Sequence, residues 1–482
     1  MTTPSGSSEQ KLTLPTLTAM VVGSMVGAGV FSLPRNFAMA TGPFGALIAW
    51  AIAGGGMLML AFVFQTLAQR KPDIDAGIFA YARAGFGDYL GFLAAFGFWA
   101  SACVGNTTYW VLIKSTLGTW IPAFGEGNTV PAVIVSSVAL WGFYVLILRG
   151  VKEAAAINQI VTWAKVVPLV LFLILVALLG FRTHFFAANF WGGEGAQYAN
   201  QSLFSQINST MLLTVFVFIG VEGASVYSRY AKKREDVGRA TVLGFVGVLA
   251  LFVLVTLLSY GVMPRADLAG LRQPSVAAVL EAVVGHWGLI FISAGLIVSV
   301  LGAYMAWTLL AAEVLFSAAK LGLAPSSLAG ENENKVPNVA LLLTSALVQF
   351  FVITTIFSDD AFTFTLKLCS ALSLIPYFLV AAYAFKLVRT RETYDVNPQD
   401  VGKDTIIAGL ATVYTAFALY AGGLKFVLLS CVIYGPGTIL FFRARRAAGH
   451  APFSPAERVL FIALIVGAIV GVIGLVTGFI TI

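Results

Sequence analysis

Hydrophobic positions along this chain do not alternate with polar ones at the period of a strand, nor form the stripe of a half-buried helix. They run almost unbroken, stop at short polar segments and resume, as in "VVPLVLFLILVALLG" and "VLFIALIVGAIVGVIGLVTGFITI". Runs near 20 residues match the thickness of a bilayer core. About thirteen are legible, at 15–39, 44–68, 86–115, 130–148, 154–181, 204–229, 239–263, 286–318, 337–357, 361–388, 404–421, 424–442 and 457–481. The pattern predicts an all-α polytopic membrane protein with about thirteen transmembrane helices. A polar tail, residues 1–14, precedes the first run and has no cleavable-signal pattern, so that run is expected to persist as a span.

Two runs weaken themselves at mid-depth. The first, "LTAMVVGSMVGAGVFSLP", carries Gly23, Gly27 and Gly29, although glycine costs about 1 kcal/mol relative to alanine inside a helix. The sixth, "MLLTVFVFIGVEGASVYSRY", is interrupted by "GVEG" at residues 220–223. Small residues also let membrane helices pack closely, and that reading serves for either run alone. Taken together, the two runs each open a block of five spans, 15–181 and 204–388, and an odd block size inverts the second block against the first. Paired interrupted helices in matching positions of two inverted halves point to the substrate site of a secondary transporter. Broken backbone frees N–H and C=O groups at the midplane, where they must line a cavity or hold a ligand. Freed N–H groups suit a carboxylate, and freed carbonyls suit an ammonium. Residues 404–482, spans 11–13, lie outside the two blocks.

Charges inside the runs sharpen this picture. Glu222 falls within the sixth-span break. Lys165, in "IVTWAKVVPLV", stands about 11 residues into the fifth span, roughly 16 Å deep at 1.5 Å per residue. A charge at the bilayer centre costs at least about 2.5 kcal/mol on insertion scales, so both are read as functional. Lys114, Glu313 and Lys367 stand nearer span ends, where snorkelling or rim pairing is the expectation. Trp307 sits mid-span, away from the interface where tryptophan collects. Asn106 places an amide inside the third span, where an interhelical hydrogen bond is the alternative to a ligand contact. His184, His286 and His450 fall in loops or at span ends, which does not suggest a histidine proton relay.

Composition agrees with the span count. The 482 residues are 59% hydrophobic and 11% charged, against roughly 25% charged in soluble domains. In a soluble protein a formal charge of +7 suggests nucleic acid, but here the basic residues cluster in alternate loops such as "AQRKPD", "YAKKREDVGR" and "FRARRAAGH". That alternation is a topology signal: it places the N-terminus in the cytoplasm and, with an odd span count, the C-terminus on the periplasmic side. Cys103, Cys369 and Cys431 lie inside apolar runs and form neither a disulfide framework nor a metal motif. No metalloprotease, nucleophile-elbow or phosphate-loop motif is present, so no enzymatic activity, cofactor or metal is expected.

At these residues the sequence resembles a known family. "GAGVF" with "PRNFA", "FIGVEGAS", "FAYARAGFGDYLGF" and "AWTLLAAE" are similar to motifs of the basic amino acid/polyamine antiporters, within the amino acid–polyamine–organocation transporters. The likeness runs from about residue 12 to 445, and the overall wording most resembles the bacterial arginine/ornithine antiporters of that family, which serve the arginine deiminase pathway. It implies an inverted five-plus-five helix repeat with broken helices 1 and 6, and exchange of extracellular L-arginine for intracellular L-ornithine across the inner membrane. Lysine/cadaverine or arginine/agmatine exchange and proton-coupled uptake are the alternatives. The partners implied are small-molecule substrates, the lipid bilayer and a second copy in a homodimer.

The resemblance also assigns residues. N–H groups around Ala28 and Gly29 would take the substrate carboxylate beside Met25 and Gly27. Carbonyls at Phe216 and Ile219 would take the α-ammonium. Trp307 would stack on the cationic tail, Ser101, Ala102 and Asn106 would meet the guanidinium, and Glu222 matches the family's glutamate. Phe216 stands where the arginine/agmatine branch has tryptophan. Lys165 stands where sodium-independent relatives carry a lysine in place of a sodium ion, which argues against sodium coupling.

Overall fold

Backbone polar groups have no partner in hydrocarbon, so a chain of this hydropathy must satisfy them within each segment. The computed structural model describes residues 13–74, 77–150, 154–192, 201–222, 234–395 and 398–481. Every regular element among them is helical. Eleven helices are long and apolar enough to cross a membrane, and the bent pair Leu14–Met25 and Ala28–Ala40 makes a twelfth span. The sixth expected span begins as the 16-residue helix Leu203–Phe218. Its continuation over 223–229 lies outside the described residues, as does most of the 1–14 tail.

Boundaries follow local chemistry. Asp360 caps the tenth span, accepting the Thr363 N–H at 3.0 Å. Ser454 and Glu457 form a reciprocal capping box at the start of the last. That helix, expected over 457–481, stops at Val476. Gly478 turns with φ +76°, and the Ile480 N–H folds back onto the Gly474 carbonyl at 2.8 Å.

The third span, Asp88–Leu117, is the spine of the bundle. It is buried along almost its whole length and packs on the tenth and eighth spans. It is also among the least apolar of the spans, for the same reason: its polar side chains face protein. Thr107, Thr108 and Thr116 return their hydroxyls to the carbonyls of Cys103, Val104 and Leu112, four residues back. The fifth span, Ala154–Leu175 with a short π turn to Gly180, lies against the eighth, His286–Lys320. Gly302 permits that approach, since a Cβ there would stand 2.0 Å from Val161. The last span packs chiefly on the twelfth and otherwise presents its side chains outward.

Lys114 departs from the snorkelling expectation. It is 2% exposed, and its amine stands 3.5 Å from the Thr355 hydroxyl. The connection after the third span folds back so that Gly127 lies against the Lys114 Cβ, closing the route to the rim. Glu313 stays exposed at its span end beside Ser317, as position alone predicts.

One ionic cluster ties the second span to the eleventh. Arg70, at the end of Pro43–Arg70, donates to Asp404 at 3.1 Å, to Asp400 at 3.2 Å and to the Thr393 carbonyl at 3.2 Å. Its guanidinium lies 3.6 Å over the Tyr394 ring, and the Tyr394 hydroxyl donates to Asp404 at 2.8 Å. Asp404 is buried, so removing the arginine strands a carboxylate. Arg70→Met is expected to lower stability by about 3 kcal/mol, read as a fall in the unfolding temperature of the detergent-purified protein.

Candidate functional site

The first break is where the sequence places it. The helix from Leu14 ends at Met25, its last ladder bond running from the Val26 N–H to the Val22 carbonyl at 2.9 Å. A 3₁₀ turn, Ala28–Ser32, then leads into the helix Leu33–Ala40, with a bend of 52°. The turn's first N–H groups, at Ala28 and Gly29, have no acceptor within it. The glycines act here through space rather than torsion. Gly27 holds φ −114°, which any residue adopts. At Gly29 a Cβ would meet Val217 at 2.6 Å and Phe216 at 2.8 Å, so this position lets the first and sixth spans touch.

The second break does need glycine. Gly220 has φ +108°, and a Cβ there would stand 2.4 Å from the Ser24 carbonyl oxygen. The two breaks therefore meet at this point. The Ser24 hydroxyl lies 3.0 Å from the Gly220 carbonyl and 2.8 Å from that of Val21. The Ile219 N–H turns back to the Phe216 carbonyl at 3.3 Å, and the Val221 N–H to Phe218 at 3.1 Å. One lone pair of the Phe216 carbonyl, expected to be free, is thus already used.

Between the breaks lies a central cavity. Met25, Gly27, Ala28 and Gly29 wall it from the first span, with Phe216 and Ile219 from the sixth. Ser101, Ala102 and Asn106 wall it from the third span, and Trp307 from the eighth. Ten of the residues named from sequence thus converge on one place. The Asn106 amide nitrogen donates to the Thr308 hydroxyl at 3.0 Å, and its oxygen, fully buried, has no partner among the described residues. Ser101 shares a short hydrogen bond with Ser373. Among the described residues no Asp or Glu lines the cavity. Its volume is about 30 Å³, room for only a water or two, so an occupant the size of an amino acid must part the walls. A larger cavity of about 850 Å³ opens elsewhere, between the second, seventh and eleventh spans, and none of the residues predicted from sequence line it.

Two predicted residues sit behind the wall. The buried Glu222 carboxylate accepts from the Gly220 N–H at 3.1 Å and from the Tyr377 hydroxyl at 2.8 Å. It closes the break and ties the sixth span to the tenth instead of facing the cavity. Lys165 is 5% exposed, and its amine donates to the Gly23 carbonyl at 2.7 Å. It makes no ion pair with any described residue. No group of three or more potential metal ligands occurs among the described residues.

Sequence reasoning missed five lining residues: Ser24, Gly105, Tyr109, Val217 and Cys369. Gly105 and Tyr109 continue, at helical spacing, the face that Ser101 and Asn106 define, so periodicity could have found them. Ser24 and Val217 adjoin predicted residues. Cys369 carried no signal, because an apolar run with one thiol does not reveal which face points inward.

A helical bundle whose first helix breaks partway along its length, against a second break and around a small central cavity, is the architecture of a multi-pass membrane transporter. The chain belongs to the amino acid permease family, whose model matches residues 12–442. It is 50% identical to the arginine/ornithine antiporter of Pseudomonas aeruginosa, across 99% of this chain and all of that one. It is 40% identical to the L-lysine transport protein of Corynebacterium glutamicum, across 98% and 96% of the two chains. It is 38% identical to the arginine/agmatine antiporter of Chlamydia pneumoniae, across 90% of each.

The geometry separates the glycines by experiment. Gly220→Ala is expected to cost about 2 kcal/mol, from strain and the clash with the Ser24 carbonyl. Gly27→Ala, in ordinary contact with the Tyr109 hydroxyl, should change stability by less than about 0.5 kcal/mol. Thermal unfolding of the two purified variants side by side gives the comparison.

Proposed function

We propose that this protein exchanges extracellular L-arginine for intracellular L-ornithine across the inner membrane by alternating access, without sodium. The observation that carries the reading is the central cavity itself. It offers helix-start N–H groups at Ala28 and Gly29, an unpartnered acceptor at Asn106, the aromatic faces of Trp307 and Phe216, and no acidic side chain. A zwitterion with a cationic tail matches this set. The carboxylate goes to the N–H groups, the α-ammonium to the carbonyl of Ile219 and the remaining lone pair of Phe216, and the tail to Trp307 and Asn106. The 50% identity to a relative named as an arginine/ornithine antiporter supports the same substrate pair.

Lys165 supports sodium independence. Its amine holds the Gly23 carbonyl across from the fifth span, a fixed cation where a coupling ion would otherwise link broken backbone to a neighbouring helix. Glu222 acts from behind the cavity, setting the sixth-span break that presents Ile219. In this reading residues 15–181 and 204–388 are inverted repeats, and spans 11–13 are peripheral and available to a homodimer. The basic loops and the N-terminus are cytoplasmic, and the C-terminus is periplasmic.

Charge balance tests the exchange. At pH 7 arginine and ornithine each carry net +1, their side chains titrating far above neutrality. One-for-one exchange is then electroneutral, although about 2.3 kcal/mol per charge per 100 mV is available to an electrogenic cycle. Labelled arginine uptake into ornithine-loaded liposomes is expected to be indifferent to an imposed potassium-diffusion potential of either sign, and to continue when choline replaces sodium. A several-fold response to the sign of the potential would exclude the one-for-one pair. Trp307 is tested in the same vesicles. Trp307→Leu should weaken arginine by about 1–2 kcal/mol, the scale of a partly desolvated cation–π contact, and Trp307→Phe by less. Equal losses would assign Trp307 to packing.

A further inference from the structure

The Asn106 amide can face its surroundings in two ways, and a neighbour chooses between them. Asn106 is wholly buried on the third span and lines the central cavity. Its amide nitrogen stands 3.0 Å from the Thr308 hydroxyl oxygen on the eighth span. Thr308 is itself buried, and its hydroxyl donates to the Tyr304 carbonyl one turn earlier, at 2.7 Å. A hydroxyl has one hydrogen. With that hydrogen committed to Tyr304, Thr308 can only accept from Asn106, so the amide must present its NH₂ group. Turning the amide over would set two acceptors against each other, or make Thr308 abandon Tyr304. The opposite end of the amide, Oδ1, is therefore held as an acceptor, and it has no partner among the described residues.

We propose that Thr308 is a specificity-determining positioning residue: by fixing the Asn106 amide with its oxygen available, it makes the cavity select side chains that only donate. A guanidinium or an ammonium has donors and no acceptor. The ureido group of citrulline has nearly the shape of a guanidinium but replaces one donor with a carbonyl oxygen and carries no charge. A freely turning amide could offer its NH₂ to that oxygen. An amide locked by Thr308 keeps its oxygen at that end, with the NH₂ on the Thr308 side and one of its two hydrogens already used there, so a ureido oxygen placed at Oδ1 sets acceptor against acceptor, and a buried polar site rejects a ligand that leaves its groups unpaired. The inference takes its substrate class from the exchange reading but concerns binding alone.

Calorimetric binding of L-arginine and L-citrulline to the purified protein tests it. The protein is expected to prefer arginine. Thr308→Val, which keeps the branched shape and removes the hydroxyl, should bind arginine more weakly and narrow the preference about tenfold, whereas Thr308→Ser should retain it. Should the valine variant fail to fold, Thr308→Ala makes the same comparison without added bulk. An unchanged ratio in the variant, or equal losses for both ligands, would overturn the positioning role and leave only packing. An unmodified protein that binds the two alike would overturn the orientation argument. A protein that prefers arginine yet does not exchange it for ornithine would refute the exchange reading alone, and one that binds neither would refute both.

Discussion

A carbonyl that loses its helical donor in the middle of a bilayer must find another, and at Gly23 the donor is the Lys165 amine, 2.7 Å away. Each group answers a cost the other creates. An orphaned backbone acceptor at that depth costs several kcal/mol, and a buried ammonium costs at least as much without an acceptor. Joined, they let the first span stop at Met25 and restart at Ala28. The same economy governs the second break. There the Gly220 N–H goes to Glu222, the Ser24 hydroxyl lies between the Gly220 and Val21 carbonyls, and Tyr377 also donates to the carboxylate. The cavity exists because these bonds hold two helices open against each other.

The cavity's chemistry follows from which helices surround the breaks. The third span can carry Ser101, Asn106 and three back-bonded threonines because the eighth and tenth spans shield it from lipid. Its polar face is what the cavity shows to a ligand, with the Trp307 and Phe216 rings as walls. Acceptors and π faces without carboxylates would suit a cation while leaving the empty site close to neutral, a balance that the proposed exchange requires, because one cavity would have to release one cation before taking another.

Volume sets a condition on the proposed exchange. At about 30 Å³ the cavity would admit an amino acid only with Phe216, Trp307 and the helix ends beside them parted. Between the first and sixth spans the contacts are of two kinds. Gly29 meets Val217 and Phe216 through van der Waals surface, and Gly220 meets Ser24 at its carbonyl and at a hydroxyl shared with Val21. Elsewhere the bundle is tied more firmly, as at Arg70, whose bonds to Asp404 and Asp400 and stacking on Tyr394 brace the second span against the eleventh.

What the sequence determined by itself is whatever depends on one segment at a time. Run length marks the spans because the bilayer sets the same thickness for each. The breaks at 23–29 and 220–223 showed because glycine in an apolar run is costly wherever the helix packs, and Lys165 and Glu222 because a charge at that depth is costly in any fold. The tertiary structure decided what depends on which face meets which. It turned Glu222 behind the cavity toward Tyr377, buried Lys114 under Gly127, and brought Cys369 into the wall from an otherwise apolar run. It also changed the reason for a glycine: Gly29 is needed for the approach of another helix, and Gly220 for its torsion. Side-chain direction on a uniformly apolar helix leaves no trace in hydropathy, because lipid and protein interior are equally apolar. Only the packed neighbours distinguish them.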